Sequence, residues 1–143
     1  MNAASIAYQA TGVAIGGRGV LIRGAPGVGK SSLALSLIDR GAVLIGDDSM
    51  MLKPAEGRLL ALPHPNTLGI LEVRNLGLLP FPCVDTASVA LVVDLVASAD
   101  RYIEGPETIA ICGVELPRIA LWPEAVTLAI KTEMALRHYG LSQ

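Results

Sequence analysis

Two groups of residues in this sequence have the types and spacing to handle phosphate. The first is Gly24-Ala25-Pro26-Gly27-Val28-Gly29-Lys30-Ser31, which fits the pattern G-x-x-x-x-G-K-[ST]. Glycines there remove Cβ atoms, so backbone N–H groups can converge on phosphate oxygens. A helix that starts beside the loop adds the positive end of its dipole. Lys30 can reach the β- and γ-phosphates as a point charge, and the Ser31 hydroxyl can face Mg²⁺. With Ser32 included, the run 24–32 is the expected nucleotide-binding segment, and its ligands would be ATP and Mg²⁺. The second group is acidic, because a phosphate loop needs a carboxylate to hold the metal or to activate a nucleophile. Asp47-Asp48 follows a buried aliphatic run seventeen residues after Lys30. Two adjacent carboxylates can divide two tasks, one binding the metal and the other accepting a hydroxyl proton. Asp94 also ends an aliphatic run, as in a Walker B-type strand.

These residues need strands and a helix to hold them. Gly19–Arg23 reads as a buried strand feeding the loop. Ser31–Arg40 reads as a helix with Leu33, Leu37 and Ile38 on one face and Gly41 as its stop. Ala42–Ile45 reads as the strand that delivers the Asp pair. If it pairs parallel with the loop's strand, its C-terminal end lies beside the phosphates. Ser5–Gln9 and Gly12–Ile15 read as two short strands around a turn. Met50–Lys53 and Arg58–Leu62 pair across Pro54–Gly57, and Thr108–Ile111 and Val114–Leu116 across Cys112-Gly113. Ser88–Val96 is the expected central strand. Glu124–Tyr139 is the expected terminal helix, with Val126, Ile130, Met134 and Arg137 at helical spacing. The order predicts an α/β domain with a mixed sheet.

The chain has 143 residues, which suits one domain covering 1–143. Hydrophobic residues make up 52% and charged residues 17%, which excludes disorder. Aromatics are only 3%, so the core must be aliphatic. A net charge of −2 carries no electrostatic footprint for nucleic acid. No run reaches the ~18 apolar residues a bilayer span requires, and Met1–Gly17 lacks a basic leader region. The expectation is a cytoplasmic protein with no membrane partner, its two cysteines, Cys83 and Cys112, buried and reduced.

Three ordered segments resemble the catalytic domain of the HPr kinase/phosphorylase family. They are Val20-Leu21-Ile22-Arg23-Gly24 running into Gly27-Val28-Gly29-Lys30-Ser31, then Leu44-Ile45-Gly46-Asp47-Asp48, then Leu71-Glu72-Val73-Arg74-Asn75-Leu76-Gly77-Leu78. The resemblance runs from about residue 5 to 140. It implies a compact form without the family's N-terminal domain, and a single phosphate-loop domain similar to the nucleotide-binding core of phosphoenolpyruvate carboxykinase. It implies a kinase acting on a serine of the phosphocarrier protein HPr, with reverse phosphorolysis, assembled as a homo-hexamer. By resemblance Asp47 is the base, Asp48 the metal-linked acid beside Ser31, and Arg74 the cation near the transferring phosphoryl group, with Lys30.

The chain also departs from that family. Gln9 stands where the family has a histidine, and Gln cannot titrate. Ser32 replaces an acidic residue. Pro65-Asn66 supplies no carboxylate where the family has a further acidic ligand. Leu121-Trp122-Pro123-Glu124 replaces a basic segment used in substrate handling. These departures bear on phosphorolysis and HPr docking, and leave ATP binding intact. Two rival readings stand beside the kinase. One is a small-molecule kinase or other phosphate-loop NTPase using Asp94, the other a module that senses ATP and catalyses nothing. His64, in a proline-flanked loop, and His138, near a helix end, are read as structural. The apolar run Leu76–Phe81 is read equally as buried or as a partner-docking loop.

Overall fold

A computed structural model describes residues 4–142. Eleven strands and two helices follow in the order β1 (Ile6–Tyr8), β2 (Thr11–Ile15), β3 (Arg18–Arg23), α1 (Lys30–Asp39), β4 (Val43–Gly46), β5 (Met50–Ala55), β6 (Arg58–Pro63), β7 (Ile70–Val73), β8 (Gly77–Pro80), β9 (Ala87–Leu95), β10 (Glu107–Ile111), β11 (Val114–Leu121) and α2 (Leu128–Tyr139). The main sheet is mixed and curled, with order β1-β5-β6-β9-β3-β2-β4. β7 and β8 form a separate hairpin.

β9 organises the sheet, as its unbroken aliphatic run predicts. Residues Ala87 and Ser88 pair antiparallel with β6, Val92–Leu95 pair parallel with β11, and the opposite edge pairs parallel with β3 along its length. Alternation divides its side chains between two cores. Leu91, Val93 and Leu95 pack with Val20, Ile22, Leu37 and Leu136 under the helices. Val89 and Val92 pack with Leu21, Ile45, Leu52 and Leu59 on the other face. Ala90 and Leu91 face the helices together, because a register shift sets Gly19 opposite Val89 but Val20 opposite Leu91.

Two hairpins close on two-residue loops whose residues are both left-handed: Glu56-Gly57 (φ 54° and 79°) and Cys112-Gly113 (φ 53° and 78°). Such turns match the twist of the strands they join. The first hairpin is tighter than expected, since Ala55 pairs directly with Arg58 and Pro54 lies inside β5. The helices share one face of the sheet and are linked there by an exposed Arg40–Glu133 ion pair at 2.9 Å. Arg18 donates to the Leu136 and Leu141 carbonyls at the end of α2, capping it from β3.

Four expectations need correction. β1 and β2 are strands, but they do not pair with each other: β1 pairs with β5, and β2 lies between β3 and β4. β4 therefore never pairs with β3. It runs in the same direction, because two antiparallel pairings separate them, so both C-terminal ends reach the same sheet edge. α2 begins at Leu128, not Glu124, and buries Leu128, Thr132, Ala135 and Leu136. The Val126, Ile130 and Met134 stripe instead faces solvent. Cys83 and Cys112 are free but half-buried, and they pack against the two different cores. Among the described residues no helix is long and apolar enough to cross a membrane.

Candidate functional site

The loop 24–29 leaves β3 and turns into α1. Gly29 caps that helix at φ 116°, a conformation that favours glycine. Gly24 is needed for a different reason. A Cβ there would lie 2.7 Å from the Val28 side chain and 3.2 Å from the Leu95 carbonyl, so the loop presses closely on the end of β9. Val28 N–H donates to the Ala25 carbonyl at 3.1 Å, closing the turn. The Lys30 ammonium donates to the carbonyls of Gly24 and Ala25 at 2.9 and 3.2 Å, which holds it over the loop.

A pocket of about 240 Å³ opens above this loop. It collects Pro26, Gly27, Gly29, Lys30, Ser31 and Ser32 from the loop and helix, Asp47 and Asp48 from the end of β4, and Arg74 from the β7–β8 hairpin. Gly24, Ala25 and Val28 form the loop's frame beside it. Two residues not singled out from sequence also line the pocket, Thr11 and Glu72.

Asp47 is the hub. Its Oδ1 accepts from Ser31 Oγ at 2.6 Å and from Thr11 Oγ1 at 3.1 Å, and its Oδ2 accepts from the Glu72 backbone N–H at 2.9 Å. One carboxylate thus ties together the helix, β2 and the hairpin. Asp48 differs. Its backbone is left-handed (φ 63°), its N–H donates to Thr11 Oγ1 at 3.2 Å, and its exposed carboxylate has no hydrogen-bond partner among the described residues.

Ser31 Oγ and Asp47 Oδ1 are hard oxygen donors side by side, which fits Mg²⁺ held jointly with substrate phosphates. Among the described residues no group of three His, Cys, Asp or Glu stands in metal-holding geometry. A metal here would accordingly depend on phosphate oxygens as well.

Asp94 lies outside this pocket. It is bound bidentately by Arg23 at 2.7 and 2.8 Å and by Arg118 Nε at 2.5 Å. Arg23 also donates to Tyr8 Oη, and Arg118 also pairs with Glu107. Burial alone would raise the Asp94 carboxyl, but the two guanidinium hydrogen bonds and charges outweigh it and hold it below the ordinary range. The same carboxylate raises Arg23 above its usual value. A depressed carboxyl stabilises the fold above its unfolded value, and that contribution is lost as pH falls through the folded one. Thermal melts at neutral pH and below about pH 4 are therefore expected to show an acid-side loss, and the loss should be smaller in Asp94→Asn.

The third of the resembling segments, Leu71 to Leu78, lies in the β7–β8 hairpin, with Asn75 left-handed at its turn (φ 75°). Leu76 and Leu78 are exposed, while Leu79 and Phe81 pack against the core, so the run Leu76–Phe81 divides by face rather than being wholly buried or wholly free. His64 Nδ1 accepts from Asn66 N–H, a local cap of the turn Pro65–Thr67. Trp122 is exposed and does not line this pocket, its indole donating to the Ala99 carbonyl at 2.6 Å.

Comparison with known proteins agrees with this geometry. The sequence model of the HPr Serine kinase C-terminal domain matches residues 2–124. HPr kinase/phosphorylase from Neisseria meningitidis is 37% identical over 144 aligned positions, covering 86% of this chain and 43% of that protein. HPr kinase/phosphorylase from Clostridium tetani is 47% identical over 66 positions, covering 46% of this chain and 22% of that protein. The chain thus spans less than half the length of these relatives. The structure of the Hpr(Ser) kinase/phosphatase from Coxiella burnetii superposes with a TM-score of 0.81 at 28% identity, covering 92% of this chain and 94% of that one. With the family model matched over most of its length, and a solved relative sharing its curled mixed sheet and two helices, this chain belongs to the HPr serine kinase C-terminal domain family.

Proposed function

We propose that this chain is the phosphoryl-transfer domain of an ATP-dependent serine kinase acting on HPr, with 1–143 working as one catalytic unit. The observation that carries the reading is the 2.6 Å contact between Ser31 Oγ and Asp47 Oδ1, which brings the glycine-rich loop and the twin acids into one pocket. The loop amides and Lys30 bind the β- and γ-phosphates. Mg²⁺, when bound, neutralises phosphate charge, and Ser31 and Asp47 offer it oxygen donors. The serine oxygen attacks the γ-phosphorus, the bond to the β-phosphate oxygen breaks, and ADP leaves. Arg74 stabilises charge on the equatorial oxygens.

The hydrogen bonds favour a division of labour opposite to the one expected from sequence. Both Asp47 oxygens are taken, one of them by the metal-facing Ser31, whereas the Asp48 carboxylate is free to accept the serine proton. In the reverse direction inorganic phosphate attacks the phosphoserine, and Asp48 returns the proton to the departing oxygen. The family resemblance further supports a phosphate-loop core like that of phosphoenolpyruvate carboxykinase, a homo-hexamer and a cytoplasmic setting. Asp94, clamped by two arginines outside the pocket, does not favour the rival NTPase reading.

Incubation with γ-labelled ATP, Mg²⁺ and HPr tests the proposal. Label is expected on an HPr serine. ATP binding with no label on HPr would overturn it in favour of a sensing module or another acceptor.

A further inference from the structure

The hydroxyl of Thr11 is placed where a strand residue has no evident structural need for one. Its side chain is fully buried at the end of β2, the strand lying between the loop's strand and the strand that carries the acids. Among the described residues its hydroxyl makes two hydrogen bonds, and both are to the twin acids. Oγ1 donates to Asp47 Oδ1 at 3.1 Å and accepts from the Asp48 backbone N–H at 3.2 Å.

The second contact matters for geometry. Asp48 holds a left-handed backbone (φ 63°), which aspartate tolerates better than most residues, and the bond from its N–H to Thr11 ties that turn to β2. The register of β2 against β4 shifts between Gly12 and Val13, the residues following Thr11. The strand is therefore irregular where it meets the acid corner. Gly46, just before the acids, is packed so closely that a Cβ would lie 2.6 Å from the Ser49 carbonyl. The turn carrying Asp47 and Asp48 is thus closely packed at Gly46, where only glycine fits, and fastened by Thr11 at Asp47 and Asp48.

We infer that Thr11 is a positioning residue for phosphoryl transfer: its single hydroxyl orients the Asp47 carboxylate toward Ser31 and fixes the backbone that aims Asp48. It touches neither phosphate nor acceptor in this role and acts through the two acids. The inference rests on the functional reading above and adds a residue to its machinery.

The test compares Thr11→Val, Thr11→Cys and Thr11→Ser with the unaltered chain. Valine keeps the shape and removes both hydrogen bonds. It is expected to lower kcat for HPr labelling about 10²-fold, the scale of a small misalignment, with ATP affinity at saturating Mg²⁺ little changed. The Mg²⁺ concentration needed for half-maximal ATP binding should rise about 10-fold, as for loss of an outer partner of a metal ligand. Thr11→Ser restores the hydroxyl and should restore both quantities. Should the valine chain fail to fold, Thr11→Cys, with its weak donor, carries the same expectation. A folded Val or Cys variant with unaltered kcat and Mg²⁺ dependence would overturn the inference, as would a serine variant as impaired as valine. If the unaltered chain binds ATP but labels no HPr, the functional reading fails alone, and the Mg²⁺ dependence of ATP binding still decides the role of Thr11.

Discussion

Asp48→Asn is expected to lower HPr phosphorylation by about 10²–10⁴-fold, the span of a lost general base. Asparagine is isosteric and tolerates the left-handed backbone at this position as aspartate does. It also keeps the N–H that donates to Thr11. The fold and the nucleotide site should survive, so ATP affinity at saturating Mg²⁺ stays close to that of the parent. What is lost is an acceptor for the serine proton. Asp47→Asn should behave differently. Its Oδ1 faces Ser31, so the substitution should chiefly raise the Mg²⁺ requirement, and saturating Mg²⁺ should recover part of the rate. Steady-state kinetics across a Mg²⁺ titration separates the two. If Asp47→Asn is dead at every Mg²⁺ concentration while Asp48→Asn retains its kcat, the proton goes to Asp47, and the sequence-based division was right.

The second large effect falls on stability. Asp94→Ala removes the carboxylate that Arg23 and Arg118 share, leaving Arg23 with only the Tyr8 hydroxyl and Arg118 with only the exposed Glu107. Breaking a buried pair from one side costs about 3–5 kcal/mol, because the remaining charge is uncompensated. Both arginines keep roughly a quarter of their side-chain surface, which trims the expected cost to about 2–3 kcal/mol. Urea unfolding followed by circular dichroism should show this as a lowered midpoint with little change in slope. An Asp94→Ala chain as stable as its parent, but unable to bind ATP, would instead place Asp94 in the nucleotide site.

Much of the site was legible because its signals are local. The loop, its strand and its helix are one contiguous stretch, and Gly41 ends the helix where expected, at φ 112°. The Asp pair was visible as two acids closing a buried run, and Arg74 came through the resemblance of its segment. The missing parts depend on who pairs with whom. Nothing in Ser5–Gln9 and Gly12–Ile15 says that the first strand joins β5 and the second inserts between β3 and β4. Thr11 is one hydroxyl in an aliphatic strand, and only that insertion makes it a neighbour of Asp47 and Asp48. Asp94 resembled a metal ligand because a strand-end aspartate carries no record of arginines 71 and 24 residues away. In the last helix, spacing alone could not choose between two apolar stripes. The one containing Leu128 and Leu136 packs inward, and Val126, Ile130 and Met134 are left outside.

The parallel partnership of β3 and β9 also dictates when the site can exist. The loop and α1 leave the ribosome before β9 does, and the neighbour that covers Val20 and Leu21, and whose carbonyl meets Gly24, is supplied only by residues 87–95. A nascent chain stopped before that point carries an unsheltered aliphatic strand and a glycine loop with nothing behind it. Closing so long a stretch of backbone is slow compared with forming a hairpin. Pausing or truncation within residues 24–86 should therefore yield fragments that aggregate, rather than fragments that hold nucleotide.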